Sequence, residues 1–169
     1  MNTDIITEIA NIALTLSFLI ALVFGVAQVN AARRDRRERL TLETLREFQT
    51  REFVELMNYI LRHDLPVNQE GLRAIPDEEQ VKVIQFGQVM ESLGILVAER
   101  LINLDLVDKS LGLFVTASWE KYKPLFHDVR ARQPDPYLGE YFQWLAEEIQ
   151  DRMDKNPRQP IHIEHPRAK

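Results

Sequence analysis

The sequence predicts an all-α protein, with an amino-terminal transmembrane helix followed by a small cytoplasmic helical bundle. Three observations predict it. No charged residue stands between Glu8 and Arg33, a gap of 24 residues. Downstream, apolar residues recur at spacings of three to five rather than two. Hairpin-type turn dipeptides and sustained alternation are missing, and the one strand-like triplet, Ile161-His162-Ile163, is too short for a sheet.

The first element is the apolar run Ile9 to Val29, interrupted by Asn11, Thr15, Ser17 and Gln28. As a helix it is about 31 Å long, which matches the roughly 30 Å hydrocarbon core of a bilayer. A buried globular helix is rarely so long and uninterrupted. A cleaved signal peptide would carry a basic leader and an apolar core of about 7–15 residues. Here the leader holds Asp4 and Glu8 and the run is longer, although Val29-Asn30-Ala31 loosely resembles a cleavage site. The sequence therefore favours a retained span. Ala13, Ser17, Ala21 and Gly25 recur every four residues along it. Small residues at this spacing let helix backbones approach in lipid, which makes that face a candidate contact with another copy or another membrane protein.

Arg33, Arg34, Arg36, Arg37 and Arg39 follow, with Asp35 and Glu38 among them. Cytoplasmic flanks are enriched in arginine and lysine. The expected topology is single-pass in the inner or plasma membrane, amino terminus outside and carboxyl domain inside. The five arginines are also candidate contacts for anionic lipid head groups. Charge is divided accordingly: residues 1–32 carry −2, residues 33–39 carry +3, and residues 40–169 carry −6.

Four segments result: a tail and span at 1–32 (apolar from about 9 to 29), a basic collar and amphipathic helix at 33–64, a bundle at 65–155, and a disordered tail at 156–169. Residues 33–62 read as one helix, since neither Gly nor Pro interrupts Leu42, Leu45, Phe48, Phe53, Leu56 and Ile60. Asp64-Leu65-Pro66 ends it, and residues 66–76 read as a loop. Asp77 is the expected cap of the next helix, with Gln80 as its box partner. Val83, Phe86, Met90, Leu93 and Val97 form its stripe, and the added Ile84, Ile95 and Leu96 place it centrally. A short connection at 103–105 makes the following helix its antiparallel neighbour, with Asp105 as cap and a kink at Pro124. Pro134 and Pro136 mark a turn before the last helix, which carries Tyr137, Tyr141, Leu145, Ile149 and Met153.

Composition excludes several chemistries. The absence of cysteine removes disulfides, thiol nucleophiles and thiolate metal sites. The net charge of −5 argues against a nucleic-acid partner. No phosphate loop, dinucleotide fingerprint or zincin motif occurs. His162 and His165 are spaced for a metal only on an ordered helix, and Pro160 and Pro166 flank them. His63 suits a helix carboxyl end, and His127 reads as a surface partner of Asp128. Glu147, Glu148 and Asp151 read as a solvated face. Gly87 and Gly94 read as packing positions. No catalytic, cofactor or metal residue is expected. The one candidate pocket would gather Trp119, Glu120, Arg130 and Tyr137, with Glu120 and Arg130 paired across Pro124.

The carboxyl half resembles a bacterial family of small membrane-anchored helical proteins of unknown function. Gly94-Ile95-Leu96-Val97, Leu106-Val107, Leu111-Gly112, Trp119-Glu120, Pro124, Arg130, Tyr137 and the run Tyr141 to Glu148 carry the likeness. The family pattern has an acid where Gln143 stands, so no carboxylate role is carried over there. The resemblance implies an anchored helical domain and no particular activity. On these grounds the chain reads as a membrane-anchored interaction or regulatory module. A tethered ligand-binding or enzymatic domain, with its pocket near Trp119 and Arg130, is the alternative.

Overall fold

The computed structural model describes residues 2–132 and 136–157, and leaves aside the side chains of residues 2–6, 9 and 10. Among the described residues there are six helices and no strand: α1 (Asn2–Glu47), α2 (Arg51–Arg62), α3 (Gln69–Ala74), α4 (Asp77–Ala98), α5 (Leu104–Arg132) and α6 (Glu140–Lys155). The chain divides into two compact units between Leu40 and Thr41. Pro134, His162 and His165, together with most of the expected tail, lie outside the described residues.

In the first unit, the described side chains of the apolar stretch of α1 are exposed. Its large side chains stand open, from Ile20 at 49% to Phe24 at 70%. The described part of α1 and the whole of α4 are the two helical segments long and apolar enough to cross a membrane. They differ in surroundings, because α4 buries Val83, Phe86, Met90, Leu93 and Val97 in the second unit.

In that second unit, Phe86 of α4 is the centre. It is fully buried and touches Phe53 of α2, Phe114 and Tyr122 of α5, and Phe142 of α6, with ring centroids 5.4–6.3 Å apart. Edge-to-face and offset rings favour such a cluster beyond the area they bury. The short α4–α5 connection does not make these two helices the closest pair. α6 packs chiefly on both of them, while α4 and α5 meet through large side chains. Glycine is the reason. A Cβ at Gly94 would collide with the Tyr141 carbonyl, and one at Gly112 would stand 3.3 Å from Ile149 Cγ2.

Several boundaries differ from the sequence expectation. The predicted helix over 33–62 breaks at residues 48–50. Thr50 adopts extended geometry, and its hydroxyl oxygen accepts from the Phe53 N–H at 3.3 Å, starting α2. Residues 41–62 thus belong to the bundle, with Phe53, Leu56 and Ile60 buried. The expected loop at 66–76 contains α3, which Asn68 starts by accepting from the Gly71 N–H at 2.7 Å. Pro76, rather than Asp77, is the N-cap of α4, and the Gln80 amide donates back to the Ile75 carbonyl at 2.9 Å. Asn103 replaces Asp105 as the local cap of α5, its side-chain oxygen accepting from the Asp105 N–H at 2.9 Å. The helix α5 runs through Pro124 unbroken, because Pro124 lies on the exposed side, where water can take the carbonyl deprived of its N–H partner.

Candidate functional site

The small residues Ala13, Ser17, Ala21 and Gly25 are all exposed on α1, and a Cβ at Gly25 would meet nothing within 4 Å. The face is therefore open. Thr15 turns its hydroxyl back onto the Asn11 carbonyl at 2.8 Å, which satisfies that polar group inside the apolar run. Arg33, Arg34, Arg36, Arg37 and Arg39 are exposed, and Arg34 pairs with Glu38 at 2.9 Å.

The four residues of the expected pocket are placed in three settings. Trp119 is only 3% exposed and stacks on Phe126, with Phe142 edge-on at 5.3 Å. Glu120 is exposed and faces Lys123 at 3.8 Å instead of Arg130. Trp119 and Glu120 both line a groove of about 480 Å³ between α5 and α6, along with Leu113, Lys123, Asp151 and Asp154. Arg130 and Tyr137 do not line it. The Arg130 guanidinium instead donates to the Leu138 carbonyl and to Gln143 Oε1, both at 2.6 Å. Gln143 passes its own amide to Glu147 at 2.8 Å. Arg130 thereby ties the turn at 136–139 to α6. Its buried Nη2 has no hydrogen-bond partner among the described residues. Tyr137 is 65% exposed.

Charged side chains at helix ends are a feature that sequence reasoning missed. The first N–H groups and last carbonyls of a helix lack partners within it. Lys121 of α5 donates to the Ile60, Leu61 and His63 carbonyls at 3.0, 2.8 and 2.9 Å, closing the carboxyl end of α2. Glu91 of α4 accepts from the Tyr141 and Phe142 N–H groups at 3.3 and 2.8 Å, closing the amino end of α6. Asp128 of α5 accepts from the Gln69 N–H at 2.9 Å at the start of α3 and pairs with Arg132, not His127. Each charge sits at the helix pole of opposite sign. His63 does lie at a helix carboxyl end, as expected, with its ring on Tyr59 and Nδ1 2.9 Å from the Tyr59 carbonyl.

Two tyrosines join α4 to its neighbours. Tyr59 donates to Glu79 at 2.8 Å, and partial burial followed by that carboxylate pushes its hydroxyl up to about 12. Tyr122 donates to the Val83 carbonyl at 2.8 Å, and burial holds its hydroxyl far above the ordinary tyrosine range.

The second concavity has no signature in the sequence, because its walls come from four separate elements. It is a cleft of about 600 Å³ between α3, α4, α5 and the turn before α6. Leu72, Val83, Ile84, Leu125, Phe126 and Val129 supply apolar wall, and Glu91 is its one charged lining residue among the described residues. Gly139 closes one end. Its φ of 72° and the Phe126 ring, 2.8 Å from where a Cβ would be, leave room for glycine alone.

A family model described as a domain of unknown function, DUF4760, matches residues 15–149. No curated protein and no solved structure matches the chain.

Proposed function

The chain belongs to the DUF4760 family, a domain of unknown function, and we propose its role from its own residues: a single-pass membrane protein with its amino terminus outside, its bundle in the cytoplasm, and an interaction or regulatory role. The carrying observation is the uncovered apolar length of α1. Soluble monomers rarely expose contiguous apolar patches above a few hundred Å². A bilayer covers this surface, and the hydrogen bonds of a helix leave its backbone with nothing to satisfy in lipid. The arginine collar at 33–39 sets the orientation and meets anionic head groups of the inner leaflet. The open face of Ala13, Ser17, Ala21 and Gly25 supports contact with a second copy or another membrane protein.

Membrane flotation and intact-mass measurement test the anchor together. The expected result is a chain that floats with the membrane and retains residues 1–29; a shortened, soluble chain would mean a removed signal sequence. A reporter fused after Lys169 should behave as cytoplasmic. Cross-linking in mild detergent should give an adduct that Ala21→Leu combined with Gly25→Leu diminishes. Only monomers and no co-purifying membrane protein would remove the interaction role.

A further inference from the structure

The groove of about 480 Å³ between α5 and α6 is lined, among the described residues, wholly by the second unit. Leu113, Ala117, Trp119 and Ala146 supply its apolar surface. Leu113 is 78% exposed, the most open large apolar side chain among the described residues of that unit. Four carboxylates stand around it, Glu120, Glu147, Asp151 and Asp154, against the single ammonium of Lys123. Glu120 faces Lys123 at 3.8 Å, and Asp151 pairs with Lys155 from outside the groove. Glu147 and Asp154 accept from the neutral amides of Gln143 and Gln150, at 2.8 and 3.0 Å. Neither has a cation in ion-pair range among the described residues. On α6, Glu147, Asp151 and Asp154 are spaced i, i+4 and i+7, so they share one face over about 10 Å. An exposed apolar side chain among uncompensated carboxylates suits arginine. Its methylene stem covers apolar surface, and its guanidinium binds a carboxylate through two donors.

The chain itself holds arginines on a helical face. Arg33, Arg36 and Arg37 share one side of α1 by their spacing and are exposed. The four-residue row of Ala13, Ser17, Ala21 and Gly25 continues through Val29 to Arg33 and Arg37. Copies that meet in parallel along this row, the contact proposed above, bring two +3 collars together. Like charges at that range repel, and carboxylates set against them remove the repulsion. Arg34 and Arg39 lie off this face and stay available to lipid head groups.

We propose that the α5–α6 groove receives the arginine collar of a second copy, with the guanidinium groups of Arg33, Arg36 and Arg37 at the carboxylates and their stems over Leu113. The exchange is reciprocal, as a two-fold dimer requires. It rests on the self-association through α1 and supplies the contact that closes the dimer outside the membrane.

The test uses the full chain, which has no cysteine of its own, in a neutral detergent without anionic head groups. One copy carries Arg36→Cys. A second, with a tag of different mass, carries Gln150→Cys in the groove wall. Mild oxidation is followed by mass spectrometry. The mixed disulfide should form at least tenfold more than with Ile84→Cys, an exposed position on α4. Salt at about 1 M should cut the yield several-fold, since it screens pairs open to solvent. Glu147→Lys with Asp154→Lys should lower it at least fivefold, and Arg33→Glu with Arg37→Glu on the other copy should restore it. A groove that had merely misfolded would not be rescued in this way. Gly25→Cys on both copies reports the contact within the membrane separately. Its cross-linking without a collar–groove product overturns the inference and leaves the self-association standing. Absence of both products overturns both. A collar–groove product indifferent to salt and to the charge exchange, or no greater than that of Ile84→Cys, also overturns the inference.

Discussion

Lys121 and Glu91 concentrate several hydrogen bonds each on a helix end. Lys121→Met keeps the stem of the side chain and removes three donors from the last carbonyls of α2. The expected loss is about 0.5–1.5 kcal/mol, since the Ile60 carbonyl is partly buried while those of Leu61 and His63 are open to water, read by urea denaturation followed by circular dichroism. Unchanged stability would mean that water replaces the ammonium without loss. Glu91→Ala should cost about 1–2 kcal/mol by uncapping α6, and Glu91→Gln less, since it keeps an acceptor oxygen. Tyr59 gives a pH-dependent expectation. Its hydroxyl is pushed from 10.0 up to about 12, so the folded state holds a proton that the unfolded chain releases first. Its contribution is complete below pH 10 and fades as the pH rises to about 12. Over that interval the wild type should lose stability more steeply than Tyr59→Phe; parallel alkaline curves would contradict the shift. None of these partners is visible as a local pattern. Lys121 and Ile60 are 61 positions apart, and Glu91 and Phe142 are 51.

At the scale of elements, two glycines of α4 make opposite predictions. Gly94→Ala drives a methyl into the backbone of α6 at Tyr141. Backbone cannot swing aside as a side chain can, so the expected cost is about 1–3 kcal/mol. Gly87→Ala places its methyl in ordinary contact with the Phe126 ring. There the gain in helix propensity, up to about 1 kcal/mol, should leave stability unchanged or slightly raised. Thermal unfolding of the two variants side by side checks both, and equal effects would mean that α6 can shift away from Gly94. The sequence marks both positions as packing glycines, but spacing alone does not distinguish a backbone crossing from the floor of a cleft. The break at 48–50 has a similar origin. The apolar period continues through it, and Thr50 becomes a cap only because α2 turns to bury Phe53, Leu56 and Ile60 against the rest of the bundle.

For the whole molecule, the compact second unit has its own aromatic core. A fragment beginning at residue 36 should therefore be soluble and unfold cooperatively. One beginning at residue 51 discards Thr41, which is fully buried and accepts from the Asn103 N–H at 2.9 Å, together with Phe48, which packs edge-on against Phe53. It should melt at lower temperature, and equal melting would show that the end of α1 contributes nothing to the bundle. Most ion pairs on the unit are exposed and join residues four apart on one helix. Such pairs are each worth about 0.3–0.5 kcal/mol, which leaves the core to carry the stability. By itself the sequence determined the helical class, the length of the amino-terminal apolar helix, the basic collar behind it and the central place of α4. Those properties are written in residues a few positions apart, as charge, apolar period and length. The tertiary structure alone decided the breaks, the caps borrowed from neighbouring helices, the separation of Trp119 from Arg130, and the cleft beside Gly87. Arg130 is drawn away by partners 8 and 13 positions on; the borrowed caps and the cleft require groups dozens of residues apart to meet, and burial of the aromatic core around Phe86 is what brings them together.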